Sequence, residues 1–86
     1  MFRLYTERTA ATTAEINRSE IVQLGCTISK GIGVWKGIRE RSTIVETTDN
    51  NEDQIRALAA AIVKNCNQEA VMIAHVPATV EFIGAE

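Results

Sequence analysis

The chain has 86 residues, 45% of them hydrophobic, and a formal net charge of −2. That length makes one domain, residues 1–86, whose core takes only roughly 60–65% of the unfolded surface out of water. The acidic balance excludes bulk attraction to DNA, RNA or anionic membranes. No apolar run reaches a membrane span of roughly 18 residues, and two cysteines with one histidine are too few for a structural zinc site.

Phe2 to Arg8 alternates apolar and polar residues, the pattern of a half-buried strand. Its charges also argue against a signal peptide, so Cys26 and Cys66 are expected as reduced thiols in a cytoplasm. Thr12 with Glu15 has the form of a capping box and predicts a helix from Ala14 to Leu24, stopped by Gly25. Thr27 to Lys36 reads as a strand with Ile28, Ile32 and Val34 on one face and glycines that suggest a bulge or a close backbone approach. Lys36 to Arg39 is the expected turn, and the β-branched run from Arg41 to Thr48 is the second strand of a hairpin.

Asp49-Asn-Asn51 opens the best-defined element, with Asn51 as cap and Gln54 closing the box. Ile55, Leu58, Ala59, Ile62, Val63 and Cys66 then form a helical apolar stripe. Ala70 to Val76 and Thr79 to Ile83 read as two further strands around Pro77. The fold expected is α+β: a ferredoxin-like βαββαβ sandwich with an additional short C-terminal strand. The sheet face away from the helices is expected to carry Tyr5, Val45, Met72, Ala74 and Val76 as apolar candidates for burial between subunits.

The chemistry concentrates in Gly31 to Ser42. This stretch holds the only tryptophan, Trp35, and Lys30 to Arg41 carries four of the nine Lys and Arg residues against one acid, Glu40. An indole can stack on a planar ligand while Lys36, Arg39 or Arg41 answers a phosphate. Gln68 both donates and accepts, which suits base-edge recognition. Equally, Trp35 can be packing surface and the charges a solvated edge. Gly31 and Gly33 begin a G-x-G with no third glycine and no following helix, so a Rossmann or P-loop site fails. Asn67 reads as a helix-end residue tolerating left-handed geometry. No acid/base pair, metal cluster or cofactor loop is identifiable, so no catalytic residue, metal or cofactor is assigned. An enzyme would have to use His75 or Cys26.

Gly33-Val-Trp-Lys-Gly37, then Glu40-Arg-Ser42, then Asn67-Gln-Glu-Ala-Val71 resembles a pattern in small uncharacterised proteins of bacteriophages and bacteria, over roughly Gly31 to Ile83. The Trp-Lys-Gly of the hairpin is also similar to that of CutA proteins, which are trimeric and ferredoxin-like, although their aromatic residues beyond the second helix are missing here. Both resemblances imply a self-associating ferredoxin-like subunit. The phage resemblance implies the cytoplasm of an infected host, and one implied role is anti-defence: sequestering a nucleotide immune signal. The leading expectation is therefore a non-enzymatic homo-oligomer that binds a small anionic or nucleotide ligand through Trp35, Lys36, Arg39, Arg41 and Gln68. The alternative is a module that docks on a host or phage protein. An enclosed, subunit-shared basic site favours the first, an exposed apolar patch the second.

Overall fold

A computed structural model describes residues 1–84. The elements are β1 (Phe2–Glu7), α1 (Ala10–Asn17), α2 (Glu20–Leu24), β2 (Thr27–Trp35), β3 (Ile38–Thr47), α3 (Glu52–Asn65) and β4 (Met72–His75). The strands form one sheet in the order β2-β3-β1-β4, every neighbouring pair antiparallel. The class is α+β, with a four-stranded antiparallel sheet and three α-helices, compatible with a ferredoxin-like fold.

β1 lies between β3 and β4, and its alternation gives it one buried face and one open face. Phe2, Leu4 and Thr6 are buried toward the helices. They meet Thr47, Val45 and Thr43 of β3 in direct register. Ile16, Ile21, Ile55, Leu58 and Ile62 close the core from the helical layer, with Cys26, Ala59, Cys66, Val71 and Ile73 packed around it. Val45 is therefore core, and the expectation that it lies on the open face is corrected. It stands opposite Leu4, and a period of two leaves no other side. The open face instead carries Tyr5, Ile44, Met72 and Ala74. Arg3 on that face donates to Glu46 at 3.0 Å.

The first helix begins four residues earlier than its pattern suggests. Thr9 is its N-cap: the Thr9 hydroxyl accepts from the Thr12 backbone, and Thr12 Oγ1 accepts from the Thr9 N–H at 2.9 Å. Glu15 does not close a capping box. It is buried and accepts from Arg18 and from Asn65 Nδ2 at 3.1 Å. Ser19 donates its hydroxyl to the Ile16 carbonyl at 2.6 Å, and the helix breaks there into α1 and α2. At α3 the stripe holds for Ile55, Leu58 and Ile62. Asn51 occupies its N-cap position, but its side chain makes no capping hydrogen bond; a 3-10 turn at Asp49–Asn51 leads into the helix, and Asn51 Nδ2 donates instead to Thr47 Oγ1 at 2.9 Å.

The expected strand at Thr79 to Ile83 is absent. After His75 the Val76 N–H donates to the Met1 carbonyl at 2.7 Å, and Pro77 follows without a donor. Phe82 and Ile83 stand 85% and 87% exposed with no ladder partner. Among the described residues, no helix is long and apolar enough to cross a membrane.

Candidate functional site

The β2–β3 hairpin is longer than the sheet that supports it. β1 pairs only with Ser42 to Thr47 of β3, whereas β2 and β3 pair without interruption from Thr27↔Glu46 to Trp35↔Ile38. The rest is a two-stranded arm, and the molecule is 46 Å long by 25 and 20 Å. The turn at its tip is Lys36-Gly37, shorter than expected. Both residues take positive φ, 51° and 78°, as the primed two-residue turns of twisted hairpins require. The constant register rules out a bulge in β2. The close approach is real: a Cβ on Gly33 would lie 2.8 Å from Ser42 Oγ.

Register decides what each face of the arm carries. Direct partners share a face. Ile28, Lys30, Ile32 and Val34 therefore lie on the side of the helices, together with Arg41 and Arg39, the partners of Ile32 and Val34. Ser29, Gly31, Gly33 and Trp35 lie on the open side with Ile38, Glu40 and Ser42. The arm reaches beyond the helical layer, so Ile32 is 71%, Val34 67% and Trp35 53% exposed, and Ile38 is exposed as well.

The five candidate ligand residues divide accordingly. Trp35 and Lys36 meet at the tip, with the Lys36 ammonium 5.9 Å from the indole centroid. The same ammonium lies 3.4 Å from the Glu69 carboxylate in the loop between α3 and β4. Gln68, its neighbour in that loop, donates to Glu7 Oε2 and the Cys66 carbonyl, both at 3.4 Å. Trp35, Lys36 and the Gln68 loop are thus drawn together. Arg39 and Arg41 are not; both are exposed on the opposite face of the hairpin. Within one subunit the indole and the guanidiniums project from opposite faces of the arm. Asn67 takes φ 54°, the left-handed position its place after α3 suggests.

Two concavities, of about 270 and 90 Å³, lie elsewhere. The larger is a groove between the α1–α2 break and α3, walled by Glu15, Arg18, Gln54 and Leu58. The smaller lies at the root of the arm, among Arg8, Ile16, Ile28 and Lys30. Neither is lined by Trp35, Lys36, Arg39, Arg41 or Gln68. The Arg18 hydrogen bond, aided by Asn65, holds the Glu15 carboxyl below its ordinary value.

The reactive side chains lie far apart. Cys26 immediately precedes β2 and His75 ends β4, at opposite edges of the sheet with β3 and β1 between them. Three strand spacings are roughly 14 Å, beyond any nucleophile–base hydrogen bond. Burial raises the Cys26 pKa, away from the reactive thiolate. His75 stacks on Phe2 at 4.5 Å and has Asp49 3.4 Å from Nε2, a partner that its sequence neighbours do not reveal. Among the described residues, no three His, Cys, Asp or Glu side chains group as metal ligands.

The arrangement offers apolar and backbone surface on a projecting arm, with cations at its margins. Ile32, Val34 and Ile38 lie outside the ligand set that Trp35 and the charges suggest. Their signal was present in the sequence, as apolar residues on both strands beside a Lys-Gly turn. No protein-family model, curated protein or solved structure matches the chain.

Proposed function

We propose that the chain is a non-enzymatic binding protein: a ferredoxin-like subunit acting in a cytoplasm, which associates with protein partners, its own copies included, through the β2–β3 arm. The ferredoxin-like reading rests on the strand order, since each helical crossover joins strands that have one other strand between them. The docking reading rests on one observation: Ile32 and Val34 on one face, and Trp35 and Ile38 on the other, are exposed on a projection whose outer strand is an edge. Single exposed apolar residues are ordinary, but a grouped patch marks an interaction surface. An edge strand adds unpaired backbone groups that another chain can satisfy.

Native mass spectrometry of protein purified from producing cells tests this. The expected spectrum shows a homo-oligomer or a complex with a second polypeptide, and Val34→Asp reverts it to free subunit. A free subunit carrying only a nucleotide-sized ligand contradicts it.

A second reading, capture of a planar anion such as a nucleotide signal, is favoured by the exposed indole with the Lys36 ammonium beside it. That reading needs a second copy to bring an arginine to the indole, because Arg39 and Arg41 lie on the other face. Calorimetric titration with cyclic and linear nucleotides tests it. Stacking of roughly 1–3 kcal/mol means that Trp35→Ala weakens binding by about tenfold to a hundredfold. A panel in which nothing binds removes this reading.

A further inference from the structure

We propose that two copies of this chain pair edge to edge through β2, antiparallel about a two-fold axis at Gly31, to make one continuous eight-stranded sheet. The inference rests on the association reading above and names its partner and register.

The free edge follows from the hairpin. A two-residue primed turn is closed by a hydrogen-bonded pair, here Trp35↔Ile38. Hydrogen-bonded pairs then recur at every second residue, so Gly33, Gly31, Ser29 and Thr27 also turn their backbone groups toward β3. The N–H and C=O groups of Ile28, Lys30, Ile32 and Val34 point the other way, out of the sheet. β2 is an edge strand of nine residues, with a ladder on one side only. A long apolar edge without proline or a bulge is what soluble proteins ordinarily avoid, unless something covers it.

A second β2 satisfies these groups only in registers that set even residues opposite even residues. With the axis at Lys30, two ammonium groups stand directly opposite each other, which is unfavourable. With the axis at Ile32, Lys30 faces Val34 and Ile28 has no partner on the other strand. With the axis at Gly31 the whole of Thr27 to Trp35 overlaps. Ile28 faces Val34 of the second copy, and Lys30 faces Ile32, along whose side chain its methylene stem can lie. On the helix side, Ile28, Ile32 and Val34 of both copies form one apolar cluster in place of two exposed ones. On the open side, Gly31 meets Gly31, and Trp35 lies opposite Thr27 beside Ser29 and the glycines, where small side chains leave room for an indole. The axis at Gly31 is thus the one register that fills the edge, groups its apolar residues and separates its lysines.

One strand and its flanking side chains make a small interface, below the roughly 1,200 Å² of total area typical of stable complexes. The dimer is accordingly a micromolar one, assembled at cellular concentration and lost on dilution. Lys30, Arg39 and Arg41 of both copies fall on the same face, so added salt tightens it.

The test is cysteine pairing with Cys26 and Cys66 replaced by serine. At Gly31 a Cβ meets nothing nearer than Ile44 Cδ1 at 3.5 Å, so Gly31→Cys is tolerated. Under mild oxidation it is expected to become mainly a disulfide-linked dimer. Ser29→Cys is expected to stay unlinked, since its two copies are four residues out of register, about 13 Å apart and beyond disulfide reach. Ile32→Pro removes an outward N–H without touching the β3 ladder and is expected to abolish the dimer in sedimentation velocity. Val34→Lys serves the same purpose if the proline variant fails to fold by circular dichroism. A protein that is monomeric at high micromolar concentration, with no Gly31→Cys dimer, overturns the proposal. Arm docking onto a different polypeptide would still register in the native spectrum. Association that survives Ile32→Pro and is lost in the Phe82→Asp, Ile83→Asp double variant also overturns it, in favour of the exposed C-terminal segment as the interface.

Discussion

Ile32→Asp separates surface kept for a partner from surface needed for folding. In the free subunit Ile32 is 71% exposed. Complete burial of such a side chain is worth roughly 1.5–3 kcal/mol, so its share in folding is about 0.5–1 kcal/mol. Aspartate is a poor strand former, but at this position it faces Arg41 across the hairpin, and an exposed pair of that kind returns up to about 1 kcal/mol. The expected change in subunit stability is therefore within about 1 kcal/mol. By contrast, Ile62→Ala, at a fully buried position of α3, costs about 2–5 kcal/mol. Association reads the other two-thirds of Ile32, about 1–2 kcal/mol per copy, and a two-fold interface uses it twice. Aspartate there also faces Lys30 of the second copy in the proposed register, and an exposed pair of that kind returns about 0.5 kcal/mol per copy, so the dissociation constant is expected to rise by about fivefold to a hundredfold. Urea unfolding at low concentration measures the first quantity and sedimentation velocity the second. The reasoning fails if Ile32→Asp destabilises the subunit as much as Ile62→Ala, or if it leaves association unchanged.

Three further outcomes concern the scaffold. The Glu15 carboxyl is held below its ordinary value of 4.5 mainly by the Arg18 hydrogen bond, so the folded chain binds fewer protons than the unfolded one just below that pH. Its stabilisation is complete above about pH 4.5 and is lost as pH falls through the depressed folded value; melting curves from about pH 6 to pH 3 should show this slope, and Glu15→Gln should flatten it. At the arm's tip, Lys36 holds φ 51° against the preference of an L-residue, so Lys36→Asn should stabilise by about 0.5–1 kcal/mol in urea unfolding, whereas Gly37→Ala at φ 78° should destabilise by about 1 kcal/mol or more. Removing the N-cap by Thr9→Ala should cost about 1 kcal/mol by the same assay, because the Thr12 N–H loses its acceptor.

The long-period features were legible in the sequence. The alternation of Phe2 to Glu7 and the stripe of Ile55, Leu58 and Ile62 come from repeating side-chain burial, which a period of two or 3.6 reports directly. Local competition hid the rest. Both Thr9–Thr12 and Thr12–Glu15 fit a capping box; the former holds because Glu15 is buried against Arg18 and Asn65, a contact set by tertiary packing. The strand preference of Thr79 to Ile83 goes unused because a strand needs a neighbour, and Pro77 separates this segment from the ladder. At the arm, the composition singled out Trp35 and the basic residues but left open whether the indole is packed or exposed; it is 53% exposed. Which face each takes depends on whether the turn holds an even or an odd number of residues, and the two-residue turn sets Trp35 beside Ile38 and turns Arg39 and Arg41 to the other face. One residue more or less in that turn moves every side chain of one strand to the other face.

The most direct measurement uses the position of the only tryptophan, at the end of the arm. Trp35 emission is recorded across a dilution series from high to submicromolar concentration, beside the mass from sedimentation velocity on the same samples. If the arm is the interface, the indole leaves water on assembly. Emission should then shift to longer wavelength on dilution, over the same concentration range in which the dimer falls to monomer. A mass that halves while the emission stays fixed, or a monomer throughout with unchanging emission, contradicts an interface built on the arm.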